Sequence, residues 1–208
     1  MHPLTRTLAT LALALVGVAA HAAANLVANG SFEQGAGGIG SFAGWTATLG
    51  DATTFVDSTG QTGPHWGQAS DGLWSAFFGS TLDDGGATIS QTLATTAGQR
   101  YLLSFDVAND NGGLDASNAL RVSVGGAPVF GASDLGDQDY AHETLSFVAT
   151  GASTTLSFFA FNDASYVQLD NISATAAAVP EPNGAVLALA GLLSATLSLV
   201  GTAWQVST

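Results

Sequence analysis

From Asn25 to Ala178 apolar side chains recur at every second position, and no stretch carries the 3.6-residue period of a helix. In "RYLLSFDVAN", Tyr101, Leu103, Phe105 and Val107 fall on one face, and Leu102, Ser104, Asp106 and Ala108 fall on the other. "ALRVSVGG" sends Leu120, Val122 and Val124 inward and Arg121 and Ser123 outward. "TTLSFFAFN" alternates Leu156 and Phe158 against Ser157, while Phe159 and Phe161 make it apolar on both sides. "TTFV", "LWSAFFG", "ATISQTL", "ETLSFVAT" and "YVQLDNISAT" read as further strands, separated by the turn clusters "TTAGQ", "NDNGGLDASN", "VGGAP", "TGAS" and "NDAS". Many short strands at this spacing predict an all-β fold, an antiparallel jelly-roll β-sandwich over residues 25–175. Trp45 and Trp74 sit on strand-like runs beside phenylalanines and are expected in its core.

The two ends read differently. "MHPLTRT" followed by "LATLALALVGVAA" and the small-x-small "AHA" predicts a signal peptide over residues 1–22, cut after Ala22 or, alternatively, after Ala24. The competing reading is an uncleaved anchor, for which the apolar stretch is short. Residues 184–203 are uncharged and mostly apolar. At about 1.5 Å per residue they span roughly 30 Å as a helix, one hydrocarbon core, and are expected to form a single transmembrane helix. A buried core helix is the alternative. Residues 176–183 form a spacer ahead of the helix, and 204–208 a short tail.

Composition narrows the partners. Three basic residues stand against 16 acidic ones, a net charge of −13, and removal of the leader takes Arg6 and leaves only Arg100 and Arg121. Such a surface repels phosphate backbones, so nucleic acid is excluded as a partner. There is no cysteine, so an exported fold must rest on a core or a bound metal. Catalysis finds little support: outside the leader only His65 and His142 remain, there is no Lys, and neither a Gly-x-Ser-x-Gly elbow nor a His-Glu-x-x-His helix occurs. Asp83 and Asp84 are adjacent, so on a strand they would point to opposite faces. The chain is not expected to be an enzyme.

The sequence "VPEP" ahead of an apolar span resembles the PEP-CTERM sorting signal of exported proteins of the Gram-negative type. The resemblance implies an exosortase as partner, acting at Val179, Pro180, Glu181 and Pro182, with the domain membrane-tethered and then released to the cell surface or exterior. The two prolines keep this box extended. The family's tail normally ends in arginines; here it reads "WQVST". Farther upstream, "NLVANGSFEQG" with Trp45 following, "GLWSAFFGS", "ISQTLATTAGQRYLLSFDVAND" and "NDASYVQLDNISAT" resemble a galactose-binding-like jelly roll found in such proteins. Related carbohydrate-binding modules share the opening Asn-Gly-Ser-Phe-Glu and the closing Leu-Asp-Asn-Ile. That resemblance implies a structural Ca²⁺ held by Glu33 and Asp170, with backbone carbonyls and water completing a shell of six to eight oxygens. The alternative is that these two carboxylates face solvent or cap backbone amides.

Trp66 in "TGPHWGQASDG" lies in a polar stretch, and with His65, Asp71 and Tyr140 would stack on and hydrogen-bond a sugar; its alternative role is to pin the loop. Asp134, Asp137, Asp139 and Glu143 form a second acidic group, and Asn109, Asp110, Asn111 and Asp115 a third. Neither fits the twelve-position Ca²⁺ loop, and such acids are ordinarily solvated turns. Two functions remain. The expected one is a non-enzymatic cell-surface or extracellular-matrix protein, associated with exopolysaccharide and sorted by an exosortase. The alternative is a carbohydrate-binding module that grips a polysaccharide through loop aromatics and acids.

Overall fold

The structure is a computed structural model and describes residues 23–35, 38–39, 41–58 and 69–178. The expected leader, His65, Trp66, the Val179–Pro182 box and the C-terminal span lie outside the described residues. Every regular element among the described residues is a strand. In chain order these are β1 (Gly38–Ile39), β2 (Thr46–Thr48), β3 (Thr54–Ser58), β4 (Trp74–Phe78), β5 (Ala87–Ala94) and β6 (Arg100–Asp110). Then follow β7 (Asn118–Val124), β8 (Ala127–Ser133), β9 (Gln138–Val148), β10 (Ser153–Asn162) and β11 (Tyr166–Ala176). They form a six-stranded sheet, β1-β3-β4-β11-β6-β9, and a five-stranded sheet, β2-β5-β10-β7-β8. All pairings are antiparallel. Among the described strands only β3–β4 and β7–β8 follow one another within a sheet; every other connection crosses to the opposite sheet. This is the expected antiparallel sandwich.

Alternation decides what lies between the sheets. Tyr101, Leu103, Phe105 and Val107 of β6 are buried against Leu120, Val122 and Val124 of β7 and Leu156 and Phe158 of β10. An aromatic relay ties the layers: Phe32 stacks on Trp45 at 6.0 Å, Trp45 meets Phe158 edge-on at 6.1 Å, and Phe158 meets Phe105 edge-on at 5.3 Å. Trp45 is in the core as expected, and Trp74 packs partly buried against it. Such ring pairs contribute beyond the area they bury, and they supply cohesion that a cysteine-free chain cannot draw from disulfides.

The opening segment adds no strand of its own, yet it runs along β11. Leu26 N donates to Ala174 O, Ile172 N donates to Gly30 O, and Ala174 N donates to Asn25 Oδ1. A Cβ on Gly30 would lie 1.9 Å from Ile172 O, so this close approach requires glycine. Asn29 folds the following turn: its Oδ1 accepts from Gln34 N and its Nδ2 donates to Ala43 O. Asn29 and Gly30 thus set the path of the backbone here.

Two expectations shift. "VGGAP" is only partly turn, because the chain resumes as β8 at Ala127 and carries Pro128 on an edge strand, where a missing N–H is tolerated. Asp139 and Glu143 belong to β9, which starts at Gln138, and so do not share a loop with Asp134 and Asp137. At that end of the sandwich, buried Asn109, Asn118 and Asn162 all donate from Nδ2 to Asn111 Oδ1. This amide network locks the loops after β6, β8 and β10 together.

Candidate functional site

The same alternation that fills the core builds a second surface on the outer face of the six-stranded sheet. One cross-strand row there runs Phe55, Phe77, Gln168 and Ala108. The row beside it includes Asp170, Asp106 and His142. Phe55 and Phe77 stack at 5.4 Å, and both meet the Tyr166 ring edge-on. Ala108 is small, which leaves room for Tyr140 of β9 to reach across β6; its hydroxyl donates a long hydrogen bond of 3.4 Å to Gln168 Oε1. Gln168 is fully buried, and its Nε2 has no partner among the described residues.

A bulge in β11 concentrates the polar groups. Pairing with β6 slips between Asp170 and Ser173, and Asn171 takes a φ of 49° there. A bulge re-aims side chains, and here it brings Asp170 and Asn171 toward the same place. Asp106 Oδ2 accepts from Asn171 Nδ2 at 3.1 Å, and Asp106 Oδ1 pairs with His142 Nδ1 at 2.5 Å. Asp170 Oδ1 accepts from Asn171 N at 2.7 Å. Its Oδ2 accepts from Asp71 N at 2.9 Å and from Ser70 Oγ at 3.2 Å. The segment entering β4 is thereby anchored on this face.

These neighbours titrate in opposite senses. Burial pushes the Asp170 carboxyl up to about 6, against the pull of the Asp71 and Asn171 amides. Burial also opposes ionisation of Asp106, but hydrogen bonds from Ser70, His142 and Asn171 outweigh it and hold that carboxyl below the usual range. Burial raises the Tyr140 hydroxyl above its ordinary value, so it stays a donor at neutral pH. His142 remains more than half exposed at the edge of the group, with its second ring nitrogen available. The face thus offers fixed acceptors, fixed donors and ring surfaces together.

Of the residues singled out in the sequence, Asp71, Tyr140 and Asp170 converge here. Asp71 contributes its backbone amide, while its carboxylate accepts from Ser31 Oγ at 2.6 Å. Glu33 approaches the same segment: its Oε1 accepts from Leu73 N and Trp74 N, each at 2.7 Å. Glu33 and Asp170 therefore cap backbone amides on neighbouring residues. Among the described residues no three His, Cys, Asp or Glu gather as a metal group, and a Ca²⁺ held by this pair would take the rest of its shell from backbone carbonyls and water. Asp106, His142, Gln168 and Asn171 were not singled out beforehand. Their one trace in the sequence is the outward alternation of Asp106 in β6, since the register that sets it opposite His142 is not written locally.

The two remaining acidic groups meet at the end of the sandwich. Asn111 N donates to Asp137 Oδ1 at 2.6 Å, and a shallow cavity of about 360 Å³ lies between Leu114, Asp115, Asp134 and Asp137. Asp110 bonds Gly112 N and Ser165 Oγ. These are solvated and turn-holding roles.

A family described as protein of unknown function, DUF642, matches residues 25–168. None of the curated proteins matches the chain. Among solved structures, the TmCBM61 module in complex with β-1,4-galactotriose superposes with a TM-score of 0.53 at 14% identity, covering 74% of this chain and 99% of that one. The CBM22-1 xylan-binding domain of Xyn10C from Paenibacillus barcinonensis gives 0.50 at 20% identity, over 77% and 99%. The K1 cleaved adhesin domain of Lys-gingipain from Porphyromonas gingivalis gives 0.50 at 14%, over 71% and 96%. At these identities the likeness establishes the jelly-roll sandwich fold.

Proposed function

The chain belongs to the DUF642 family, and from its fold and the chemistry of one sheet face we propose that it is a non-enzymatic glycan-binding module. The observation that carries this is the outer face of the six-stranded sheet. Sugars present an apolar face that stacks on rings and hydroxyls that both donate and accept. Phe55 and Tyr166 supply part-exposed rings, Tyr140, His142 and Asn171 supply the polar groups beside them, and the buried Phe77, Gln168 and Asp106 hold these in place from beneath. The related folds named above include one solved with β-1,4-galactotriose and one called xylan-binding. They support a neutral polysaccharide as the ligand class, which a net charge of −13 would not repel. The adhesin domain has the same fold, so the face and not the fold carries the choice of ligand class. This reading takes up the alternative of a carbohydrate-binding module in preference to the expected surface or matrix protein.

Delivery is part of the same reading. The signal peptide, the Val179–Pro182 box and the apolar run from Gly184 support export, sorting by an exosortase and transient tethering to a membrane, with the glycan-binding domain outside the cell. Glu33 and Asp170 anchor loops in it by capping backbone amides. The test is calorimetric titration with β-1,4-galacto- and xylo-oligosaccharides. Tyr140→Ala or His142→Ala should weaken binding tenfold or more, about 1.4 kcal/mol, with the fold intact by circular dichroism. Trp66→Ala should do likewise if the β3–β4 connection stacks on the sugar. Absence of binding to any neutral glycan refutes the reading.

A further inference from the structure

The carboxylates are not spread evenly along the sandwich. At one end, Asp83 and Asp84 lie in the β4–β5 connection, Asp115 after β6, Asp134 and Asp137 after β8, and Asp163 after β10. The opposite end is built from the turns 95–99, 125–126 and 149–152, which read TTAGQ, GG and ATGA and contain no acid. These turns are tied into one surface: Thr95 N donates to Ala152 O, Gly98 N to Ala149 O, and Gly125 N to Thr155 O. Leu102 and Val148 are exposed beside it, at 43% and 49%. An apolar cleft of about 200 Å³ opens there between Val124, Ala127, Val129 and Phe147. Arg100, one of two basic residues left after the leader, begins β6 at this end.

The chain also leaves the domain here. Ala177 N donates to Arg100 O, and Gln99 Nε2 donates to Ala177 O. Only residues 178–183 separate that point from the apolar run beginning at Gly184. Fully extended they reach roughly 20 Å, at about 3.3–3.6 Å each. The acidic end lies farther off by the length of an 11-residue strand, about 35 Å at ~3.3 Å per residue.

We propose that the acid-free end of the sandwich is a docking surface for a lipid bilayer. It rests on the reading of residues 184–203 as a membrane span. With that span in place, the short spacer holds this end against the headgroups. Leu102 and Val148 enter the apolar boundary, and Arg100 faces anionic lipid. The aspartate-rich end is repelled by the same negative surface and points away. The outer face of the six-stranded sheet then stands upright above the membrane.

The chain has no cysteine, so single labels are clean probes. The full chain, carrying Val148→Cys or Asp115→Cys with an environment-sensitive dye, is reconstituted in phosphatidylethanolamine–phosphatidylglycerol vesicles containing a headgroup spin label. The dye at position 148 should be quenched severalfold more than the dye at position 115. Adding Thr96→Asp and Thr150→Asp, both at exposed turn positions, should reduce the quenching at 148 without releasing the protein. Equal quenching at the two positions, or stronger quenching at 115, overturns the docking surface. A chain that alkaline carbonate strips from the vesicles overturns the span and the docking with it, whereas an integrated chain with an unquenched 148 label overturns the docking alone.

Discussion

Asp170→Asn is the sharpest probe of the polar centre. Asp170 is fully buried, and burial raises its carboxyl to about 6. An unfolded aspartate titrates near 3.9, so between roughly pH 4 and 6 the native state holds a proton that the unfolded chain has lost. Stability from this group is therefore fully present below about pH 4 and is lost as pH rises through about 6. A shift of about two units corresponds to ~3 kcal/mol at ~1.4 kcal/mol per unit, the net of burial against the hydrogen bonds from Asp71 N and Asn171 N. Hydrogen bonding holds Asp106 low despite burial, and it does the same for Asp51 through Thr53 and Ser80. Those two act with the opposite sign, and their stabilisation is lost only as pH falls below about 4. Urea unfolding of residues 23–178 at pH 7.5, 6 and 5, in a His142→Gln background, should show stability rising by about 1 kcal/mol on acidification. The Asp170→Asn variant in the same background should lose that slope. A flat parent profile, or a slope that survives the substitution, refutes the buried-carboxylate argument.

Three further outcomes follow from the packing. Gly30→Ala drives a Cβ into Ile172 O and should cost about 2–4 kcal/mol by thermal unfolding, since the opening segment must leave β11. Asn162→Ala removes donors to Asn109 Oδ1, Asp110 O and Asn111 Oδ1; stability should fall by about 2–3 kcal/mol while the outer-face site keeps its affinity. Chelation should leave the melting temperature unchanged, because Glu33 and Asp170 are satisfied by amides; a drop reversed by Ca²⁺ would restore the ion to that position.

Alternation made the sandwich readable because a half-buried strand writes its inward face locally: Leu103, Phe105, Leu120, Val122, Leu156 and Phe158 are all in the core. The β8 edge strand was not readable in the same way, since its exposed residues include a proline and little apolar contrast. For the site, Asp71, Tyr140 and Asp170 were legible as polar or aromatic residues at suggestive places. Asp106, His142 and Asn171 were not, because their meeting depends on cross-strand register and on a bulge that shifts it. The function of Glu33 and Asp170 was ambiguous from sequence for a related reason: a carboxylate that binds a cation and one that caps an amide look alike until the backbone around them is placed.

The central claim is that a neutral glycan binds the outer face of the six-stranded sheet. Amide chemical-shift mapping of labelled residues 23–178 with β-1,4-linked oligosaccharides tests it most directly. The account predicts saturable shifts at Ser104, Tyr140, His142 and Asn171, with Arg121, Ser123 and Ser157 on the outer face of the other sheet unmoved. Shifts confined to the five-stranded sheet, or none with any neutral glycan, would contradict it.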